Sequence, residues 1–244
     1  MLSVDEPSIT PELIRERVAI VMGRLRAAAE VAGRDPDGFR LVAVTKGFDV
    51  AAVRAAAAAG LTVFGENRVQ EAAPKIEAVP DVEWHMIGRL QSNKVRHALG
   101  MFQAIHSVDS LELLRRIERI AHDDGHRPRL MLEVDTSAAG GRVGFAAEPF
   151  GEQARDAGSD LVRTLREVHA ASVVGLMTMA PVDGTAPQQH FAALRGLRDA
   201  LQATAALPLS ELSMGMTADA DAAVAEGATL VRIGTAIFGP RPHR

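Results

Sequence analysis

Leu41-Val42-Ala43-Val44-Thr45-Lys46 is the stretch on which the fold turns. An apolar, β-branched run of this length reads as a strand buried on both faces, as in a parallel sheet covered by helices. The charged residue at its end needs a reason. Lysine occurs only at Lys46, Lys75 and Lys94, and every other member of the 27 Lys+Arg is arginine. Arginine does not form an imine, whereas a lysine amine desolvated among apolar walls loses its proton more readily and attacks an aldehyde. The plainer alternative is a snorkelling or salt-bridged lysine at a strand end.

Outward from this run the chain alternates. Strand candidates follow at 61–64, 83–87, 104–108, 130–134, 173–177, 211–214 and 229–233. Between them lie Ala-, Leu-, Arg- and Glu-rich stretches that read as helices, among them 110–122, 160–171, 187–204 and 218–226. With the Lys46 strand this makes eight strands separated by helices, the pattern of a (β/α)8 TIM barrel. A doubly wound open sheet is the alternative. One extra helix precedes the barrel. Thr10 is a good N-cap, Pro11 suits the first helical position, and Ile14, Val18, Val21 and Leu25 recur at helical spacing before Gly33. No linker or low-complexity segment divides the chain. The expectation is one domain over 1–244, with a helical extension at 1–40 and the barrel at 41–239. The loop 135–147, with Gly140, Gly141 and Gly144, is expected to be mobile.

Composition excludes several classes. The chain has 47% hydrophobic and 24% charged residues, a net charge of −4 and no cysteine. That leaves no disulfide framework or thiolate nucleophile, and no general attraction to nucleic acid. No segment approaches a membrane span, and the first residues lack the basic and apolar regions of a secretory signal. A cytoplasmic protein is expected. Tyrosine is absent, which removes one common proton-transfer residue.

In an α/β barrel, functional groups gather at the C-terminal ends of the strands, with phosphate on the last two loops. Here those loops begin Leu212-Ser213-Met214-Gly215-Met216 and Arg232-Ile233-Gly234-Thr235. Gly215 and Gly234 let backbone amides approach a ligand, and Ser213 and Thr235 add hydroxyls around Met214. Thr235-Ala236-Ile237-Phe238 can open a short helix. Either pair alone is a routine turn. An imine-forming lysine, an anion cradle and Arg232 together suggest pyridoxal 5′-phosphate.

Several segments together carry a resemblance. Val44-Thr45-Lys46, Phe64-Gly65-Glu66-Asn67-Arg68-Val69-Gln70-Glu71, Trp84-His85-Met86-Ile87-Gly88, Leu90-Gln91-Ser92-Asn93-Lys94, Leu212–Met216 and Val231–Gly239 resemble the YggS/PROSC family of pyridoxal phosphate homeostasis proteins. The resemblance implies an alanine-racemase-like barrel without that enzyme's second domain, with pyridoxal 5′-phosphate bound as a Schiff base on Lys46. It further implies that Asn67 lies near the ring and that Ser213, Gly234 and Thr235 hold the phosphate, and Met214 and Gly215 are expected among the cofactor-binding residues. Arg232 would then face the pyridine nitrogen. A permanent guanidinium there disfavours ring protonation and weakens the cofactor as an electron sink. The related racemases use two opposed bases, one a tyrosine from the second domain, so the expectation is binding without strong turnover and no catalytic residue. Buffering or delivery of the cofactor, possible hand-over to apoenzymes and a monomeric state complete the reading. A weak racemase or lyase, and a Schiff-base aldolase barrel, remain the alternatives.

The chain departs from the family pattern at 135–145, where Arg142 stands in for another basic residue, and at Thr217, which replaces a serine but keeps the hydroxyl. His85 and His106 read as core histidines without metal-ligand spacing, and no metal is expected. Glu66 reads as a general base or, equally well, a salt-bridging carboxylate. Met177, Met179, Met214 and Met216 are expected to wall the ring, with core packing the equal alternative.

Overall fold

The computed structural model describes residues 9–137, 142–181 and 186–241. In chain order, helix α1 (Pro11–Val31) is followed by β1 (Arg40–Val44), α2 (Val50–Ala58), β2 (Val63–Glu66), α3 (Val69–Ala78) and β3 (Glu83–Met86). A 3₁₀ turn, Ser92–Lys94, leads to α4 (Val95–Leu99), β4 (Ala104–Val108), α5 (Leu111–Asp124) and β5 (Arg129–Asp135). Then come β6 (Phe145–Ala146), α6 (Ala147–Arg155), α7 (Asp160–Arg166), β7 (Ser172–Met177) and α8 (Pro187–Ala205). The described chain closes with β8 (Glu211–Ser213), α9 (Ala220–Ala225), β9 (Leu230–Ile233) and α10 (Thr235–Phe238).

All pairings are parallel, in the order β4-β3-β2-β1-β9-β8-β7-β5, and β4 pairs with β5 to close the ring. Eight strands therefore form the barrel expected from the sequence, and the open-sheet alternative is excluded by that closing pair. The two-residue β6 hangs on β5 outside the ring, Val134 opposite Phe145. It lies inside the stretch expected as loop; Gly140 and Gly141, and the mobility expected around them, fall outside the described residues.

Strand alternation sorts the side chains into two cores. Val42, Val63, Met131, Met177 and Leu230 form a small cluster separate from the main one. Ala43, Phe64, Leu130, Leu132, Leu176, Leu212, Val231 and Ile233 belong to the main core with residues of the helices. Successive strand residues thus go to opposite sides, as the period of two requires. The same alternation places Glu133 on the side of Met131 and Arg232 on the side of Leu230.

Thr10 caps α1 by accepting from the Leu13 N–H at 3.3 Å, and Ile14, Val21, Leu25 and Ala29 bury one face. These residues belong to the main core, so the extra helix is packed on the barrel. At the N-terminal rim, Glu83 pairs with Arg40 at 3.3 Å and with Arg129, while Arg40 reaches Glu211 at 3.6 Å. Charges from β1, β3, β5 and β8 are thereby tied at the end opposite the functional loops. No helix among the described residues is long and apolar enough to cross a membrane.

β2 runs two residues later than expected. Gly65 and Glu66 do not look like strand formers, but both are paired with His85 and Met86 of β3. Ladder pairing in a closed barrel outweighs local propensity there.

Candidate functional site

A cavity of about 400 Å³ opens at the C-terminal ends of the strands, within the range of small-molecule sites. Lys46, Asn67, Arg232, Gly234 and Thr235 all line it. Lys46 lies two residues beyond the end of β1, after Thr45, and is half-buried. Burial lowers its pKa from the usual lysine value, and the charges of Arg241 and Arg232 lower it further, against an opposing pull from Glu66. Its free-base fraction, the nucleophilic form, rises accordingly.

Arg232 is only 4% exposed and makes no ion pair within 4 Å among the described residues. One nitrogen donates to Ser213 Oγ at 2.6 Å and another to the Thr178 carbonyl at 2.9 Å. Burial pushes its pKa down to about 10, with Asp219 and Glu133 opposing, so it remains cationic at neutral pH. A buried guanidinium satisfied only by neutral acceptors is costly. The cavity is where a further acceptor would stand.

Below Arg232 lies a buried relay whose proton positions follow from its lower end. His85 Nε2 is 2.6 Å from Glu83 Oε1. A carboxylate only accepts, so that nitrogen carries the proton and His85 Nδ1 is an acceptor. His106 Nε2, 2.8 Å from His85 Nδ1, must then donate, leaving its Nδ1 to accept from Ser213 Oγ at 2.8 Å. The Ser213 oxygen in turn receives the Arg232 bond. Every group is used once in each direction with both histidines neutral. Burial holds both imidazoles in that form, pushing the His85 pKa down to about 3 and that of His106 well below its usual value.

This relay redraws part of the expected cradle. The Ser213 hydroxyl is fully buried and already holds Arg232, so it is not among the groups lining the cavity. The Met214 side chain points the other way, into the main core, and its N–H donates to the Leu230 carbonyl at 3.1 Å. Gly215 is likewise absent from the lining, but its φ of +89° makes the turn out of β8. A Cβ there would stand 2.5 Å from that of Ala223. Thr217 lines the cavity in their place, with Met216. On the other loop α10 begins as expected at Thr235. The Gly234 carbonyl takes the N–H groups of Ile237 and Phe238 at 2.9 and 3.0 Å, so only those of Thr235 and Ala236 stand at the helix start without an acceptor inside the helix. Of the four methionines expected around a ring, Met179 and Met216 line the cavity, whereas Met177 and Met214 are packed in the two cores.

Glu66 resolves as a salt-bridging carboxylate. Its Oε1 accepts from Lys75 Nζ at 2.5 Å and from the Thr45 hydroxyl at 2.6 Å, and Lys75 also donates to the Thr45 carbonyl at 2.8 Å. This buried cluster fixes the end of β1 immediately before Lys46. Arg142 donates to the Met179 carbonyl at 3.1 Å, beside the cavity.

Three charged lining residues were missed by the sequence reading: Arg89, Glu133 and Arg241. Glu133 is the one carboxylate among the residues lining this cavity, and burial, reinforced by Asp109, pushes its pKa up to about 7. Its signal was a charge inside an otherwise apolar run, two residues after the inward Met131.

These shifts set the acid response. Below about 6.5 the unfolded chain protonates His85 and His106 while the folded protein does not, so acid destabilises by about 1.4 kcal/mol per pH unit for each. Glu133 has the opposite sign. Its folded value of about 7 lies above its ordinary one, so its contribution is present below about 4.5 and lost as pH rises to 7. Denaturant midpoints are expected to fall from pH 6.5 to pH 5, and Glu133→Gln to fall more steeply. Equal slopes in the two proteins would contradict the assignment of Glu133.

Fold and site together define a (β/α)8 barrel with a half-buried lysine and a buried arginine lining one cavity at the C-terminal ends of its strands. The family model for the alanine racemase N-terminal domain matches residues 23–242. A pyridoxal phosphate homeostasis protein of Synechocystis is 39% identical over 219 residues, covering 87% of this chain and 96% of that one. One of Pseudomonas aeruginosa is 40% identical over 235 residues, covering 94% and 96%. Among solved structures, PipY of Synechococcus elongatus with PLP bound superposes with a TM-score of 0.80 at 40% identity, covering 93% of this chain and all of that one. An alanine racemase of Clostridium difficile shares the fold, with a TM-score of 0.69 at 13% identity, and this chain spans 58% of it. The chain belongs to the alanine racemase N-terminal domain family and, within it, to the pyridoxal phosphate homeostasis proteins.

Proposed function

We propose that the cavity holds pyridoxal 5′-phosphate covalently through Lys46, and that the protein keeps and delivers this cofactor inside the cell without substantial turnover of its own. The observation that carries the reading is the pairing, in one cavity, of a lysine with a lowered pKa and a buried arginine that has no carboxylate within 4 Å among the described residues. The residues present fit the group. Lys46 supplies the amine, Arg232 a donor for the pyridine nitrogen, and Asn67 a polar contact beside the ring. Gly234, Thr235 and Thr217 supply the phosphate cradle, with the Ser213-Met214-Gly215 turn shaping the loop. When bound, the cofactor offers an aldehyde carbon that takes up the lysine nitrogen with loss of water, and a ring that withdraws electrons. Relatives named pyridoxal phosphate homeostasis proteins, and PipY with PLP bound, support the assignment.

The non-enzymatic reading rests on Arg232 and on composition. Held cationic against the ring nitrogen, Arg232 opposes its protonation, and the chain has no tyrosine to serve as an opposed base. Glu133, with a pKa of about 7 and facing the cavity, is the observation that favours the second reading, a weak racemase or lyase. An aldolase reading leaves Arg232 without a task. We further infer a single domain over 1–244, a cytoplasmic monomer and cofactor-requiring apoenzymes as recipients. No nucleic acid, membrane or metal partner is part of the proposal.

Incubation with D- or L-alanine in deuterated water is expected to give only slow background exchange at Cα. Racemisation or elimination within the ordinary enzymatic range of about 1–10³ s⁻¹ would contradict the carrier reading and install Glu133 as the base.

A further inference from the structure

Two of the segments that carry the family resemblance, 64–71 and 90–94, touch the cofactor cavity only at Asn67. They build a second cavity beside it. This one also measures about 400 Å³ and is lined by 67–70, Met86, 89–91 and Lys94. Asn67 and Arg89 line both cavities, so the two are contiguous.

Its chemistry is one-sided. Val69, Met86 and Leu90 are buried and form an apolar floor. The polar lining consists of three cations, Arg68, Arg89 and Lys94, with the amides of Asn67, Gln70 and Gln91, and no carboxylate among them. In a chain of net charge −4 this is a local reversal. The two guanidinium groups have only peripheral tethers: Arg68 to Glu71 at 3.2 Å and Arg89 to Asp109 at 3.6 Å, each arginine side chain 70% exposed. Such exposed pairs hold little energy and leave donors free. Lys94 is half-buried and has no ion pair within 4 Å among the described residues. The three lysines of this chain therefore have three separate surroundings: Lys46 in the first cavity, Lys75 on Glu66, and Lys94 here.

We propose that this second cavity is an oxyanion site for a phosphate-type dianion, held by the Arg68, Arg89 and Lys94 cations with amide donors from Asn67, Gln70 and Gln91. Guanidinium forks match the oxygen spacing of phosphate, and an ammonium adds a point charge. The ligand is either inorganic phosphate or the phosphate end of a small monoester at the mouth of the first cavity.

The test is calorimetric titration of inorganic phosphate into the full chain saturated with pyridoxal phosphate, so that the first cradle is filled. Loading is followed separately by visible absorbance, so a failure to load counts against the proposed function alone. If loading fails, the same titration of the ligand-free protein still reads this site through the variants. One phosphate per loaded chain is expected. The Arg68→Gln, Lys94→Gln double variant touches only the second cavity, and it is expected to weaken phosphate by about 10-fold or more while leaving cofactor loading unchanged. Should that variant fail to fold, Gln91→Glu introduces a repelling carboxylate at an exposed position and is expected to give the same loss. Pyridoxine 5′-phosphate, which has no aldehyde, separates the sources. Tighter binding than inorganic phosphate identifies a monoester, equal binding identifies free phosphate, and both support the site. Absence of phosphate binding, binding unchanged in the folded variants, or acetate bound as tightly as phosphate would overturn it.

Discussion

Lys46→Ala is expected to lose the cofactor on gel filtration, with no visible band and no stabilisation on adding pyridoxal phosphate, while the ligand-free protein stays as stable as wild type. Lys46 carries the one amine among the described residues lining the first cavity, so on the proposed reading its removal deletes the covalent bond and leaves only polar contacts from Arg232, Asn67 and the proposed cradle. The fold should tolerate the change. Lys46 is half-buried, and the neighbouring charges of Arg232 and Arg241 disfavour its cationic form. Removing that charge relieves repulsion and breaks no ion pair. A ligand at 100 times its Kd stabilises the folded state by about 2.7 kcal/mol. Wild type is therefore expected to gain several degrees in Tm on saturation and the variant almost none. Equal gains in both proteins would place the covalent site elsewhere.

Lys75→Ala is expected to act on stability. It strips the buried Glu66 carboxylate of its cation, leaving only the Thr45 hydroxyl on Oε1; Oε2 has no partner among the described residues. Removing one member of a buried ion pair costs about 3–5 kcal/mol, a large share of the 5–15 kcal/mol that typically holds a domain together. A paired Lys75→Met, Glu66→Gln variant should recover most of the loss, because no charge is then left buried without a partner. A denaturant midpoint for Lys75→Ala within experimental error of wild type would show that the pair contributes nothing. Because the pair also holds the Thr45 carbonyl, cofactor retention is expected to fall in the single variant as the end of β1 loosens.

The relay under Arg232 gives a third outcome. His106→Leu removes both a donor and an acceptor, leaving Ser213 with Arg232 alone and His85 with Glu83 alone among the partners in the relay. Arg232 keeps its charge and its bonds to Ser213 Oγ and the Thr178 carbonyl, but the hydroxyl that receives it is no longer oriented from below, so the visible spectrum of bound cofactor is expected to shift or broaden more than its affinity changes. An unaltered spectrum would make the relay purely structural.

The strands were legible because each is a short apolar run in a chain that otherwise alternates charge and alanine, and a parallel barrel needs nothing subtler. β2 was misplaced because Gly65 and Glu66 gain their strand conformation from their neighbours on β3, which local composition does not reveal. At the site, Lys46, Asn67, Arg232, Gly234 and Thr235 stood out as polar or glycine residues at strand ends, where barrel chemistry collects. Ser213 stood out for the same reason, but whether a hydroxyl faces a ligand or an arginine depends on the register between β8 and β9. Glu133 was hidden inside a strand, and Arg241 lies beyond the last one with no pattern to mark it. The histidine relay needs β3, β4 and β8 brought around a closed ring, a relation that sequence spacing does not encode.

Borohydride reduction of the protein mixed with pyridoxal phosphate, followed by peptide mass mapping, tests the central claim most directly. The expected result is one reduced cofactor adduct per chain, on the peptide that contains Lys46. The buried Lys75 should be untouched, and Lys94 should be labelled at most in trace. A dominant adduct on Lys75 or Lys94, or none at all, would contradict the placement of the cofactor on Lys46.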